Sequence, residues 1–263
     1  MQGNEMSIIL IGFLASLAAG LATGVGALPA LFLRRLSGKA QDAMLGFAAG
    51  VMLAASFFSL ILPALEAAQE HGSSETTAVL IVIGGILLGC AAIWVINDNL
   101  PHEHFIMGPD GKAASALLRR IWLFVIAITL HNFPEGLAVG VGFGGNDIAN
   151  GTTLAIGIGL QNFPEGLAVA VALLGQNYSR AYAFRVALFT GLVEPIGGLI
   201  GIAAVTFSQP LLPWGLAFAA GAMIFVISHE IIPETHRRGY ENHGTFGLII
   251  GLVVMMFLDV VLG

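Results

Sequence analysis

The sequence predicts an all-α, polytopic membrane protein, with eight transmembrane helices in a 3+2+3 arrangement of inverted repeats forming one domain over residues 1–263. Three observations carry this expectation. The chain is 57% hydrophobic and only 10% charged, which is too apolar for a soluble domain of its length. Its apolar runs are long enough to cross a bilayer as helices. All ten Lys and Arg residues fall at alternate connections between those runs, as they do when basic loops are retained in the cytoplasm.

Taken in order, the spans are expected at about 6–33, 43–65, 77–97, 120–143, 152–175, 181–207, 211–233 and 244–262. Residues 1–6 lack the basic start of a signal peptide, so the first run is expected to remain as a span. Arg34, Arg35 and Lys39 follow span one; Lys112, Arg119 and Arg120 follow three; Arg180 and Arg185 follow five; Arg237 and Arg238 follow seven. The opposite side carries only acids, Glu5, Glu66, Glu70, Glu75 and Asp147. This alternation puts both termini outside the cytoplasm and residues 98–119 in a cytoplasmic loop. The 35 glycines suit close helix approach in lipid. The single cysteine, Cys90, excludes an internal disulfide framework and a multi-thiolate metal cage.

Two internal repeats organise the chain. His131-Asn132-Phe133-Pro134-Glu135-Gly136-Leu137-Ala138-Val139 recurs thirty positions later as Gln161-Asn162-Phe163-Pro164-Glu165-Gly166-Leu167-Ala168-Val169. Only the first residue of the block changes. The short connection Gly144–Gly151 makes spans four and five antiparallel, so the two blocks are related by a pseudo-two-fold axis in the membrane plane. At an offset of 171, Gly20-Leu21 with Gly26 and Leu28 recurs as Gly191-Leu192 with Gly197 and Leu199. Phe47-Ala48-Ala49-Gly50 with Met52 recurs at the same offset as Phe218-Ala219-Ala220-Gly221 with Met223. Pro63 and Pro233 correspond after a one-residue slip. Spans one and two thus match six and seven in inverted sense, a pattern characteristic of secondary transporters with broken helices meeting at mid-membrane.

The repeated block places an imidazole, two carboxylates and three amides in hydrocarbon. Each ionised group there costs roughly 3 kcal/mol or more near the centre, so such residues face a partner, a cavity or an ion. His131 and Glu135, at i and i+4, share one helix face, with Asn132 turned towards the neighbouring helix. Pro134 and Pro164 leave the carbonyls of Leu130 and Leu160 without helical donors, free to find partners or to become ligands. Span six repeats the theme in Glu194-Pro195, and the repeat matches Glu194 to Thr23, so this acid departs from the symmetry. Imidazole, carboxylate and amide oxygen, with a thioether as an optional addition, suit Zn²⁺, Fe²⁺, Mn²⁺ or Cd²⁺, whereas Mg²⁺ and Ca²⁺ prefer oxygen alone.

The paired blocks, Glu194-Pro195, the Phe-Ala-Ala-Gly stretches and Ser228-His229-Glu230 resemble the bacterial, GufA-like branch of the ZIP (Zrt-, Irt-like) divalent metal transporters. The resemblance covers nearly the whole chain. It implies eight helices, a metal site between spans four and five with a third carboxylate from span six, and transport into the cytoplasm across the cell (inner) membrane. It also implies a homodimer, and movement of a four-helix metal-carrying bundle against the rest. By position, the implied ligands are His131, Asn132, Glu135, Gln161, Asn162, Glu165 and Glu194, with Met52 near the site. Many relatives carry His at the position of Gln161, so this chain keeps one central imidazole.

Other residues admit two readings each. Asn132, Gln161 and Asn162 are ligands or interhelical hydrogen-bonding groups. Met52 is a ligand or core packing, and its repeat mate Met223 favours packing. His229 and Glu230 mark a metal exit or an ordinary interfacial pair, and Asp259 and Glu66 gather cations at an entrance or are simply solvated. Asp98, His102, Glu103 and His104 crowd into a loop that resembles a metal-binding loop of the family, although short His tracts bind metal weakly.

A carrier explains the repeats, the mid-membrane donors and the broken helices together, and a metal channel would use the same donors. An intramembrane metalloenzyme is disfavoured, because neither His-Glu-x-x-His nor Gly-x-Ser-x-Gly occurs. The chain is therefore expected to be no enzyme, to need no cofactor beyond the transported metal, and to bind lipid and divalent ions but no nucleic acid.

Overall fold

The computed structural model describes residues 2–32, 37–99, 112–145, 147–175, 177–237 and 239–262, and their side chains except 2–7, 97, 99, 112–121, 123, 124, 127 and 131. The described residues are helical almost throughout. Eight long helical stretches follow one another, here called helices one to eight: Gln2–Ala27, Gly38–Glu70, Glu75–Asn99, Lys112–Gly144, Ile148–Leu174, Arg180–Phe207, Gln209–Thr235 and Glu241–Leu262. Seven are long and apolar enough to cross a membrane, and helix four stands where the remaining span is expected.

The helices outrun the apolar windows that identified them. Asp98 and Asn99 belong to helix three, and residues 112–119 to helix four, where the sequence reading had them in a connecting loop. The reason is propensity: Lys-Ala-Ala-Ser-Ala-Leu-Leu-Arg favours helix without needing lipid. His102, Glu103 and His104 lie outside the described residues.

Interruptions are placed differently from expectation. Helices four and five run without a break through Pro134 and Pro164. The discontinuity lies in helix six, where Arg180–Gly191 ends and Glu194–Phe207 begins after a turn at Leu192-Val193. Pro195 near the start of the second half explains the break, since a proline is tolerated where its missing N–H is not needed. Helices two and seven instead widen into π-helical turns, Ser56–Ile61 and Ile227–Ile231, just before Pro63 and Pro233. These turns begin 171 positions apart, and the first is one residue longer. That extra residue accounts for the one-residue slip between the two prolines.

Packing follows the repeats. The principal pairings are helix one with five and four with six, and helix two with eight and three with seven. Each pairing has its counterpart under the exchange of one for six, two for seven, three for eight and four for five. Glycines make the correspondence visible at the level of atoms. A β-carbon at Gly251 would collide with the Phe47 carbonyl, and one at Gly89 with the Phe218 carbonyl; Gly50 abuts Leu248 and Gly221 abuts Ile86 in the same way. Helices three and eight thereby correspond at an offset of 162, a relation the sequence reading did not find. Helices two and five are the most enclosed of the seven, with 67% of each apolar window buried, against 22% for helix three and 17% for helix eight. The polar block of helix five therefore stands at the centre of the molecule, and helices three and eight lie at its rim.

Candidate metal centre

Helices one and six cross where Gly20 meets Gly191, each glycine occupying the space that a β-carbon on the other would need. Around that crossing the two blocks pack in matched fashion. Gly166 of helix five abuts the carbonyl of Thr23 on helix one, and Gly136 of helix four abuts the carbonyl of Glu194 on helix six. Absence of side-chain bulk at these positions draws four helices together around the polar residues.

The result is a buried polar cluster. Asn132, Glu135, Gln161, Asn162 and Glu194 are fully enclosed, and Glu165 is 1% exposed. Gln161 Nε2 donates to Glu135 Oε1, joining helix five to helix four. Asn162 Nδ2 donates to the Ala19 carbonyl at 2.8 Å and to Glu194 Oε1 at 2.7 Å, joining helix five to helices one and six. Glu135 interacts electrostatically with Glu165 and Glu194, and Glu194 with Glu165. Among the described residues no three His, Cys, Asp or Glu side chains gather tightly enough to hold an ion unaided. Amides link the carboxylates, so the donor set is a mixed one.

Many of its polar atoms have no hydrogen-bond partner among the described residues: Asn132 Nδ2 and Oδ1, Glu135 Oε2, Gln161 Oε1, Asn162 Oδ1, both oxygens of Glu165, and Glu194 Oε2. An unpaired buried polar atom costs about 1–3 kcal/mol, and more where it is charged. Seven of these eight atoms are oxygens. A bound cation satisfies such a set, and hydrogen-bond donors alone would have to be numerous to do so.

Each remaining expected residue has a definite place. His131 is in helix four one turn before Glu135, and its side chain lies outside those described. Met52 is fully buried on helix two, as is its repeat mate Met223, and both belong to the apolar core. Asp259 is half-buried and accepts Ser59 Oγ at 2.6 Å, which ties helix eight to the π-helical turn of helix two. Glu66 and Asp98 are exposed. His229 is exposed and stacks on Phe225 with ring centroids 5.1 Å apart, while Glu230 beside it is half-buried. Among the described residues, no hydrogen bond joins Glu66, Asp98, His229 or Asp259 to the central cluster. The sequence reading missed Thr23, which is 1% exposed with an unpartnered Oγ1; its only signal was its alignment with Glu194.

Residues 97–259 match the family described as ZIP Zinc transporter. The chain belongs to the ZIP family. It is 49% identical to the zinc transporter GufA of Myxococcus xanthus over 252 residues, spanning 96% of this chain and 99% of that one. It is 48% identical to the zinc transporter ZIPB of Bordetella bronchiseptica, over 94% of this chain and 80% of the relative. The human zinc transporter ZIP11 is 37% identical over 84% of this chain and 88% of its own. Membership bears out the resemblance to the bacterial branch of the ZIP family, and with it a polytopic transporter in place of an enzyme.

Proposed function

We propose that this ZIP-family chain carries divalent transition metal, zinc foremost and Cd²⁺, Fe²⁺ or Mn²⁺ besides, across the cell (inner) membrane into the cytoplasm. The observation that carries the reading is the set of seven unpartnered oxygens on Asn132, Glu135, Gln161, Asn162, Glu165 and Glu194, enclosed between helices four, five and six. Its relatives, named as zinc transporters, support zinc as the cargo. Two ions bridged by Glu135 and Glu165 fit the pseudo-two-fold relation of the blocks. His131 and Gln161 serve one ion; Asn132, Asn162 and Glu194 serve the other.

Orientation rests on charge, and the inward direction on the resemblance to the family. All ten basic residues lie at one set of connections, which supports a cytoplasmic face there and both termini outside. The matched pairings of helices one with five and four with six supply a bundle that rocks against helices two, three, seven and eight, giving alternating access. The unit works as a homodimer within the bilayer.

The test is uptake into proteoliposomes enclosing a zinc indicator, with competing ions outside. Saturable Zn²⁺ uptake, inhibited by Cd²⁺ and lost in Glu165→Ala, is the expected result. Flux that rises without saturation would replace the carrier with a channel, and absence of metal flux would overturn both.

A further inference from the structure

Thr23 follows Gly20 by three residues as Glu194 follows Gly191, and these two glycines are in mutual contact. Thr23 and Glu194 thus flank the crossing of helices one and six in matched positions. A threonine inside a helix ordinarily gives its hydroxyl to a carbonyl one turn back, as Thr129 does to Val125 at 2.8 Å and Thr190 to Ala187 at 2.8 Å. For Thr23 the carbonyl four residues back, the counterpart of Val125 for Thr129, is that of Ala19. Its oxygen already takes Asn162 Nδ2 at 2.8 Å, and within an unbroken helix it also takes the Thr23 N–H. Both lone pairs of that oxygen are used, and among the described residues the buried Thr23 hydroxyl has no hydrogen-bond partner.

The displacement has a location. Asn162 uses its second amide hydrogen on Glu194, so the side chain that takes Thr23's acceptor is the same one that holds this carboxylate. Gly191 leaves room at that point, since a β-carbon there would stand 2.7 Å from Thr23 Oγ1. We propose that Thr23 supplies a neutral hydroxyl oxygen to the ion held by Asn162 and Glu194, on the side of the repeat axis opposite Glu194. This inference rests on the metal-carrier reading above. It makes the position one of oxygen donors with a carboxylate on one flank and a hydroxyl on the other, so it binds more weakly than the position served by His131.

Zn²⁺ titration of the purified full chain by calorimetry tests this. Thr23→Val keeps the shape and removes the oxygen; the weaker of two binding steps should lose about tenfold in affinity while the tighter step is unchanged. Thr23→Ser keeps the hydroxyl and should hold the weaker step. Thr23→Ala supplies the same comparison should valine disturb packing, and thermal melts report folding for all three. A weaker step unchanged in the valine and alanine variants, or lost equally in the serine variant, overturns the role of Thr23 alone. A wild-type chain that binds no Zn²⁺ overturns the metal-carrier reading and this inference together.

Discussion

Gly20 and Gly191, 171 positions apart, touch backbone to backbone at the crossing of helices one and six, and no side chain intervenes. Because the nearest opposing atom in each case is a main-chain carbonyl oxygen, no rotamer change relieves a substitution. Gly20→Ala and Gly191→Ala should each destabilise the folded chain by about 1–3 kcal/mol. Gly159→Ala is the control, since a β-carbon there has its nearest neighbours at 3.9 Å. Thermal melts of the purified variants check the ranking; equal melting of all three would deny the close crossing.

Topology is open to direct measurement. Cys90 donates to the Gly221 carbonyl at 3.2 Å, so Cys90→Ser removes the thiol while keeping a donor. In that background, cysteines placed at the exposed Glu70 and Asp147 should react with an impermeant reagent on intact cells. A cysteine at Lys112 should react only after lysis. Labelling of position 112 from outside would sink the eight-span arrangement.

Metal binding should depend on pH. Carboxylate ligands must be ionised to hold a cation, so protons and metal compete for Glu135, Glu165 and Glu194. The sign follows: apparent affinity falls as pH falls, and metal entering the site releases protons. Cd²⁺ titrations between about pH 5 and 7.5 provide the check, since unperturbed Glu titrates near 4.3. An affinity constant across that interval would count against carboxylates shared between metal and proton.

Stoichiometry separates the two proposed positions. Glu194→Gln should reduce the metal bound per chain while sparing much of the transport, because Glu194 serves only the oxygen-rich position. Glu165→Ala and His131→Ala should nearly abolish transport. Anomalous scattering from Cd²⁺-soaked crystals would locate the ions, and a single peak at saturating metal would refute the bridged pair without refuting the transporter.

Much of this was legible in residue order. The repeated block named five members of the cluster, because polar groups in an apolar run have few uses that do not involve a partner. Glu194 stood out because its repeat mate is Thr23. Other features left little trace. The relation of helices three and eight survives in Gly85 with Gly247 and Gly89 with Gly251, too sparse a match to find before their contacts are seen. The π-helical turns at Ser56 and Ile227 are changes of hydrogen-bond register, which composition does not encode. Pro134 and Pro164 suggested broken helices, yet the surrounding helices enforce continuity and the break falls at Leu192-Val193. Thr23 looked like any small helical residue until Asn162 was seen to occupy its acceptor.

The unequal π-helical turns bear on directionality. Up to Ser56 and Ile227 the two halves keep one register; beyond them the longer turn of helix two shifts its sequence by one residue against that of helix seven, as Pro63 and Pro233 show. A carrier whose halves matched all the way to the surface would show the same face to both compartments and would have no built-in sense of inward and outward. Here the far end of helix two has Ser59 bonded to Asp259, and that of helix seven has His229 stacked on Phe225. The vectorial character of transport is therefore to be sought at the two ends of helices two and seven, and not in the near-symmetric pair Glu135 and Glu165 between them.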